Sequence, residues 1–172
     1  EAIARGKTLR VLVTGGAGYI GSVATALLLE TGYEVTVLDD LSTGHEDAVP
    51  NAAKFVKGSL LSDADLDISL SDCEAVMHFA AKSLVGESVE KPDLYNRVNV
   101  GGSKALFAKM EEHGIEKLVF SSTAATYGEP TRVPIAESDA PAPKNPYGES
   151  KLAIDNMIAA SGFSAISLRY FN

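Results

Sequence analysis

The sequence predicts a doubly wound α/β fold, in which helices pack on both faces of a parallel sheet. Short apolar runs alternate along the chain with segments of helical periodicity, which is the pattern of strand-helix repeats. The apolar runs are continuous rather than alternating, as in strands that are buried on both faces. A glycine-rich turn joins the first run to the first helix. Because 45% of the 172 residues are hydrophobic, we expect residues 1–172 to form one domain with a single core.

The strands and helices follow from these patterns. Strands are predicted at residues 10–13, 34–38, 54–56, 75–78, 117–121 and 165–170, and helices at residues 20–31, 63–70, 91–112 and 146–160. Pro146 fits the first position of a helix, where its missing N–H does no harm. Residues 128–145 contain four prolines, so we expect a long loop there. The carboxyl ends of parallel strands meet at one edge, which is where open α/β sheets bind ligands.

The composition disfavours several classes of partner. A formal net charge of −8 and a pI near 4.8 argue against a nucleic acid or a membrane surface, since both attract basic proteins. Cys73 is the only cysteine, so neither an internal disulfide nor a cysteine-based zinc cluster can form, and no metal site is predicted. Residues 1–7 lack the pattern of a secretion signal, and no apolar run is long enough to span a bilayer. We therefore expect a soluble, cytoplasmic protein.

Glycines follow the first predicted strand at the spacing G-x-x-G-x-x-G, formed by Gly15, Gly18 and Gly21. Such glycines allow a tight turn, a close approach of the backbone to a pyrophosphate, and close packing of helix on strand. Tyr19 and Ile20 open the helix that follows. The N-terminus of a helix offers unpaired N–H donors and a positive dipole to an anion. The pattern predicts that these five residues bind a dinucleotide.

Two carboxylates end the second predicted strand. Asp39 lies 18 residues after Gly21, where a carboxylate accepts hydrogen bonds from the adenosine ribose and repels a 2′-phosphate. Asp40 follows directly, and residues 41–45 contain no arginine that would bind such a phosphate. The sequence therefore predicts NAD rather than NADP as the cofactor. The alternative is that the glycines only make a tight turn and that Asp39 is a solvated strand end.

Tyr147 and Lys151 are four residues apart at the start of the last predicted helix, so they share one face. Ser121, Ser122 and Thr123 end the fifth strand and bring hydroxyls to the same edge of the sheet as the glycine turn. A tyrosine acts as a general base near neutral pH only if its pKa falls, which a nearby Lys151 and a bound nicotinamide cation would favour. The alternatives are a surface tyrosine packed on a lysine stem and an ordinary polar strand end.

Together these motifs resemble those of the extended short-chain dehydrogenase/reductases, and within them the 4-epimerases of UDP-sugars. The resemblance covers essentially the whole chain. It rests on the glycine turn, Asp39, residues 78–81 (His-Phe-Ala-Ala), Asn99, Ser122, Thr123, the Tyr147 and Lys151 pair, and residues 168–172 (Leu-Arg-Tyr-Phe-Asn). Related dehydratases and decarboxylases carry an acidic residue at or just after the catalytic hydroxyl, where this chain has Ala124 and Ala125. The resemblance implies a Rossmann fold and NAD-dependent 4-epimerisation of UDP-glucose and UDP-galactose.

The resemblance also implies a role for each residue. Tyr147 would take the proton of the sugar 4-hydroxyl while hydride passes to NAD, and Thr123 would bridge Tyr147 and the sugar oxygen. Lys151 would hold the nicotinamide ribose and lower the pKa of Tyr147. The 4-keto sugar would then turn over and take the hydride back on its other face. Further cofactor contacts are implied for Phe79, Ala80, Ala81, Asn99, Ser121 and Tyr170, with a purely structural role as the alternative for Asn99. Further substrate contacts are implied for Ser122, Phe171 and Asn172.

Some features depart from the family pattern. Lys82 stands one place earlier than the lysine that touches the cofactor in relatives, and residues 58–60 lack the aspartate that usually contacts adenine. The sequence ends at Asn172, ahead of the position at which the family's smaller C-terminal domain, which grips the uracil and the sugar, would begin. Two other functions therefore stay open. They are a different nucleotide-sugar enzyme, such as a dehydratase or reductase, and a cofactor-binding fragment without turnover.

Residues 98–110 and residues 152–158 each carry a second apolar stripe. In relatives the equivalent helices pair between subunits as a four-helix bundle, so the resemblance implies a homodimer. The alternative is that both stripes belong to one core. The partner predicted for the site itself is a UDP-sugar.

Overall fold

The computed structural model describes residues 8–171, so Asn172, which we predicted to contact the substrate, lies outside the described residues, as do residues 1–7. The strands are β1 (Arg10–Thr14), β2 (Glu34–Asp39), β3 (Lys54–Lys57), β4 (Ala75–His78), β5 (Lys117–Thr123) and β6 (Ser164–Tyr170). They form one sheet in the order β3-β2-β1-β4-β5-β6, and all neighbours pair in parallel. The prediction of a parallel, doubly wound sheet is confirmed.

Helices connect the strands. Within the described residues they are α1 (Tyr19–Glu30), α2 (Asp63–Leu70), α3 (Val85–Glu90), α4 (Pro92–Tyr95), α5 (Gly102–Glu112) and α6 (Pro146–Ala160), and short 3-10 turns occur at Glu46–Ala48 and Ala124–Tyr127. Residues 128–145 contain no helix or strand, as predicted. None of the described helices is long and apolar enough to cross a membrane.

The prediction of one helix over residues 91–112 was wrong in its details. A π-helical segment, Asn96–Gly101, joins α4 to α5. Such a wide turn leaves no clear mark on helical periodicity, and it is often found at functional sites. The short helix α3 was also missed, because six residues are too few for a periodic signal.

Apolar side chains fill both faces of the sheet. Leu12 and Phe120 face α2, α5 and α6 within one core cluster. Val11 and Val13 point to the opposite face, where Leu28 of α1 packs, because successive side chains of a strand alternate between faces. Helices thus cover both faces of the sheet.

Much of the apolar surface of α5 and α6 is packed inside the chain. Leu106 and Met110 of α5 are fully buried in the first core cluster. Ile154 of α6 is also fully buried there, and Ile158 of α6 is nearly so. This outcome supports the alternative in which the two stripes contribute to one core. It leaves a dimer untested.

Candidate active site

A cavity of about 900 Å³ lies at the carboxyl edge of the sheet. The strand order reverses between β1 and β4, so the connections from these two strands leave in opposite directions and open a crevice at that edge. Of the predicted site residues that the structure describes, all line this cavity except Asn99. The fold therefore brings together residues that are up to 156 positions apart, from Gly15 to Phe171.

The glycine turn comes close to the backbone that follows β4. Gly15 has φ of +73°, and a Cβ at that position would lie 2.6 Å from the amide nitrogen of Ala80. A Cβ at Gly21 would lie 2.2 Å from the carbonyl oxygen of Gly15. No side chain caps the N-terminus of α1 at Gly18. The N–H groups of this first turn are therefore available to an anion in the cavity, and the turn fits a pyrophosphate.

Asp39 has a second role that the sequence did not reveal. Its Oδ2 accepts a hydrogen bond from the Ala17 amide at 3.0 Å, and its Oδ1 accepts one from the Leu41 amide at 2.8 Å. The carboxylate thereby fixes the glycine turn as well as the end of β2. Each carboxylate oxygen has a second lone pair, so ribose hydroxyls can still bind. Asp40, which is exposed, holds the Ser42 amide at 2.8 Å.

His78 joins three elements behind the glycine turn. Its Nδ1 lies 2.7 Å from the Thr14 hydroxyl at the end of β1, and its Nε2 lies 2.8 Å from the Ser103 hydroxyl on α5. Burial lowers the pKa of His78 to about 3, with a smaller contribution from the charge of Lys151. The imidazole is therefore neutral at physiological pH. The sequence signals for His78 were its position at the end of a predicted strand and its place in the motif of residues 78–81; neither revealed this network.

The stability of the protein should depend on the pH through His78. Between pH 6.5 and about 3 the unfolded chain binds a proton at this residue and the folded chain does not, so stability falls as the pH falls. We expect the wild type to lose about 2 kcal/mol more than His78→Gln between about pH 6 and about pH 4.5, at ~1.4 kcal/mol per pH unit. Urea unfolding at each pH measures the difference. His45→Gln, at an exposed position, should keep the wild-type dependence, and equal slopes for wild type and His78→Gln would contradict this prediction.

One end of the cavity is formed by β5 and α6. The side chains that meet there are those of Thr123, Tyr147 and Lys151. Burial raises the pKa of the half-buried Tyr147 phenol, and a hydrogen bond with the Thr123 hydroxyl opposes that rise. Lys151 is 2% exposed, and its Nζ donates to the Ser121 carbonyl oxygen at 2.8 Å. Its ammonium also lies 4.8 Å from the centre of the Phe120 ring. Burial lowers the pKa of Lys151 to about 8, while the charge of Asp155 opposes that change.

The predicted effect of Lys151 on the pKa of Tyr147 stays a prediction. In this structure burial raises that pKa and Thr123 opposes the rise, with a net upward direction. The Lys151 ammonium is bound to the backbone of β5. A phenolate at neutral pH therefore requires a further positive charge in the cavity.

Asn99 lies behind the cavity wall. It is fully buried, its Oδ1 accepts from the Lys82 amide at 2.8 Å, and its Nδ2 donates to the Lys82 carbonyl at 3.0 Å and to the Ser150 hydroxyl at 3.1 Å. Both the oxygen and the nitrogen of the Asn99 side-chain amide are thus hydrogen-bonded within the chain. Of the two roles considered for Asn99, these contacts favour the structural one, in which the π-helical segment ties the loop after β4 to α6.

The Ser122 hydroxyl is turned away from the ligand space. Ser122 is 1% exposed, and its Oγ donates to Oδ2 of Asp155 at 2.9 Å. The hydroxyl is thus committed to a buried carboxylate, while Ser122 still lines the cavity, so its contact with the substrate stays a prediction and a supporting role is favoured. Neighbouring residues of a strand face opposite sides, which separates Ser122 from Ser121 and Thr123.

The two departures from the family pattern have structural counterparts. Lys82 reaches across the cavity, and its Nζ donates to the Ser42 hydroxyl at 3.2 Å. After β3, the Ser59 amide donates to the Asp65 carboxylate at 2.9 Å, so a carboxylate from α2 lies beside the strand end. Among the described residues that line the cavity, the cations are Lys82, Arg97 and Lys151, and the carboxylates are Asp39 and Asp40. The acidic chain thus places three of its 15 lysines and arginines where an anionic ligand would lie.

These features define a class of protein. A short-chain dehydrogenase/reductase domain with a Rossmann fold has these features. They are a parallel sheet with a glycine turn at its switch point, an aspartate at the end of β2, and a tyrosine and a lysine one helical turn apart beside a strand end that carries hydroxyls. The chain belongs to the NAD dependent epimerase/dehydratase family, whose model matches residues 11–172.

Known relatives agree with this assignment. The chain is 52% identical over 168 residues to a UDP-glucose 4-epimerase of Corynebacterium glutamicum and 51% identical over 170 residues to one of Halalkalibacterium halodurans. In both cases the match covers 95% of this chain and 51% of the relative. The chain therefore spans about half the length of the curated relatives it matches.

Solved structures show the same fold. UDP-glucose 4-epimerase from Brucella ovis, in complex with NAD, superposes with a TM-score of 0.92 at 46% identity, over 96% of this chain and 52% of that one. The Thermotoga maritima UDP-glucose 4-epimerase, with UDP-glucose, gives a TM-score of 0.89 at 36% identity, over 94% and 55% of the two chains. The predicted fold class and family are confirmed.

Proposed function

We propose that this chain binds NAD and carries the catalytic residues for the 4-epimerisation of UDP-glucose and UDP-galactose. The observation that carries this proposal is that one cavity brings Tyr147 and Thr123 together with a buried Lys151 and also holds the glycine turn. The names of relatives that are about 50% identical across this region support it.

The cavity fits NAD along its length. The turn from Gly15 to Gly21 and the N-terminus of α1 would hold the pyrophosphate, and Asp39 would accept hydrogen bonds from the adenosine ribose. Lys151 would donate to the nicotinamide ribose, and residues 79–81 with Ser121 and Tyr170 would form the walls around it. When bound, NAD supplies the hydride acceptor, the hydride donor and a positive charge that favours the Tyr147 phenolate.

The residues of this chain would handle the proton and the sugar. Thr123 would hold the sugar 4-hydroxyl, and the Tyr147 phenolate would take its proton and later return it. Tyr147 thereby acts as base and acid in one cycle. Phe171, which lines the cavity and is 69% exposed, would contact the substrate together with Asn172. Ser122 would have a supporting role in this scheme.

Epimerisation fits the cavity better than dehydration does. A 4,6-dehydration needs an additional acid and base beside the sugar. The described residues that line the cavity near Tyr147 include Ala124 and Ala125 but no carboxylate, since Asp39 and Asp40 lie at the end of β2. The epimerase therefore remains the leading proposal.

The experiment that tests the proposal combines three measurements on one sample of purified protein. Intact mass identifies the polypeptide, denaturation followed by chromatography detects released NAD, and a coupled assay follows the conversion of UDP-galactose to UDP-glucose. Bound NAD with turnover is the expected result. NAD without turnover would overturn the catalytic part and leave a cofactor-binding unit, and a 4-keto-6-deoxy product would favour a dehydratase.

Asp39 should decide both the affinity for NAD and the preference over NADP. Asp39→Asn removes the charge and one of the two acceptors that hold the Ala17 and Leu41 amides. We expect the affinity for NAD to fall by about 10- to 100-fold, the effect of losing a charged hydrogen bond, and the ratio of NADP to NAD affinity to rise. Calorimetric titration with both dinucleotides measures this. Asp47→Asn, at an exposed position, is the control, and unchanged NAD affinity in Asp39→Asn would contradict the assignment.

We further propose that residues 1–172 form one domain, that the protein acts in the cytoplasm, and that it forms a homodimer. The free, half-buried Cys73 is consistent with a reducing compartment. A dimer is supported by the apolar surface beside α6, where Leu84 and Val89 lie outside the cavity and are 65% and 63% exposed. Light scattering at micromolar concentration should give twice the mass of the chain. A monomeric mass would remove the dimer from the proposal.

A further inference from the structure

One buried carboxylate outside the predicted set of site residues joins the elements that build the catalytic end of the cavity. Asp155, on α6, is 8% exposed. Its Oδ2 accepts from the Ser122 hydroxyl of β5 at 2.9 Å and from Nε of Arg169 on β6 at 3.3 Å. A single side chain thus connects α6 to the last two strands of the sheet.

These contacts lie next to the residues of the proposed mechanism. Ser122 stands between Ser121, whose carbonyl oxygen accepts a hydrogen bond from the Lys151 ammonium, and Thr123, which lines the cavity together with Tyr147. Arg169 directly precedes the cavity residues Tyr170 and Phe171. Movement of Asp155 would therefore displace both walls of the site.

Asp155 also lies one helical turn from Lys151, on the same face of α6. Both side chains are buried, and a buried ammonium is costly unless a negative charge is near. The second oxygen of Asp155, Oδ1, is buried and accepts no hydrogen bond from the described residues. The carboxylate therefore keeps one free acceptor oxygen in addition to its contacts with Ser122 and Arg169.

No other carboxylate of the described residues acts on Lys151. Among the titratable groups around it, His78 of β4 is neutral, Tyr147 of α6 is a phenol, and Arg169 of β6 is itself a cation. The charge of Asp155 is the one that favours the protonated form of Lys151.

We propose that Asp155 is a positioning residue for Lys151: its carboxylate provides the counter-charge of the ammonium and locks β5, β6 and α6 together at the catalytic end of the cavity. The inference rests on the proposed function, because it gives Lys151 its place beside the nicotinamide ribose. It concerns the protein's own residues, so it can be tested without turnover.

The test is a pH titration of Lys151 by NMR in protein labelled at the lysine side chains. The Lys151 resonance is identified by its loss in Lys151→Arg. We expect Asp155→Asn, which keeps the shape and removes the charge, to lower the titration midpoint of Lys151 by about one pH unit or more. Asp155→Glu should restore the midpoint to near the wild-type value. Asp67→Asn removes a surface carboxylate that is paired with Lys109 and His113, and should leave Lys151 unchanged.

A Lys151 midpoint that is the same in Asp155→Asn and wild type would overturn the inference. If Asp155→Asn does not fold, Arg169→Gln provides the second comparison. Removal of this cation should raise the midpoint of Lys151, and an unchanged midpoint would again overturn the inference. A purely structural role for Asp155 predicts a loss of stability without a selective change at Lys151.

NAD affinity measured on the same variants separates the two proposals. A shifted Lys151 midpoint in a protein that binds no NAD would leave this inference standing and reject the proposed function. If the wild type binds NAD and turns over substrate but the Lys151 midpoint does not shift in Asp155→Asn, the proposed function stands and this inference is rejected. If both proposals hold, the loss of NAD affinity at high pH should begin at lower pH in Asp155→Asn than in Asp155→Glu.

Discussion

Tyr147→Phe should reduce the turnover of UDP-galactose by about 1,000-fold, within the range expected for the loss of a general acid and base. The substitution removes only the hydroxyl of a residue that lines the catalytic end of the cavity together with Thr123 and Lys151. The ring and its packing remain, so the affinity for NAD should change little. Steady-state kinetics and calorimetric titration with NAD together measure these two expectations.

The matched control is Tyr33→Phe, which removes a hydroxyl from a tyrosine that is 37% exposed and outside the cavity. Its turnover should equal that of the wild type. A second readout does not depend on turnover. The ultraviolet absorbance of the phenolate should appear at lower pH when NAD is bound than when it is absent, because burial alone raises the pKa of Tyr147. Retention of more than about a tenth of the activity in Tyr147→Phe would assign the proton transfer to another group.

Gly21→Ala should abolish the binding of NAD. The added Cβ would lie 2.2 Å from the carbonyl oxygen of Gly15 and 2.8 Å from Cα of Gly16, so the backbone of the turn must move. We expect the free energy of unfolding to fall by about 1–3 kcal/mol from overpacking. The displaced turn would also lose its close approach to the pyrophosphate. Denaturation of the purified variant should release no NAD.

Gly86→Ala is the matched control, because a Cβ at Gly86 meets nothing within 4 Å and the residue lies in the short helix α3. An exposed helical glycine replaced by alanine should stabilise the protein by about 0.5–1 kcal/mol. NAD should stay bound. If Gly21→Ala retained NAD at the level of Gly86→Ala, the pyrophosphate would have to lie elsewhere in the cavity.

The sheet, the glycine turn and the Tyr147 and Lys151 pair were accessible from sequence because each follows from local patterns. Apolar runs mark buried strands, glycine spacing marks the turn, and a separation of four residues marks one helix face. The π-helical segment Asn96–Gly101 was missed because it has no local sequence pattern of its own. It changes the hydrogen-bond spacing of a helix without a composition that distinguishes it from its neighbours.

Polar partners that are distant in sequence were decided by the tertiary structure alone. The sequence presented Ser122 as one of three similar hydroxyls, and only the packing of α6 on β5 commits it to Asp155. In the same way, Asn99 binds Lys82 and Ser150 rather than lining the cavity. Sequence by itself determined which residues reach the carboxyl edge of the sheet, since strand ends and turn chemistry follow from local preference. Which of them face the ligand space and which support it from behind depends on buried polar groups finding partners, and those partners meet only when the chain is folded.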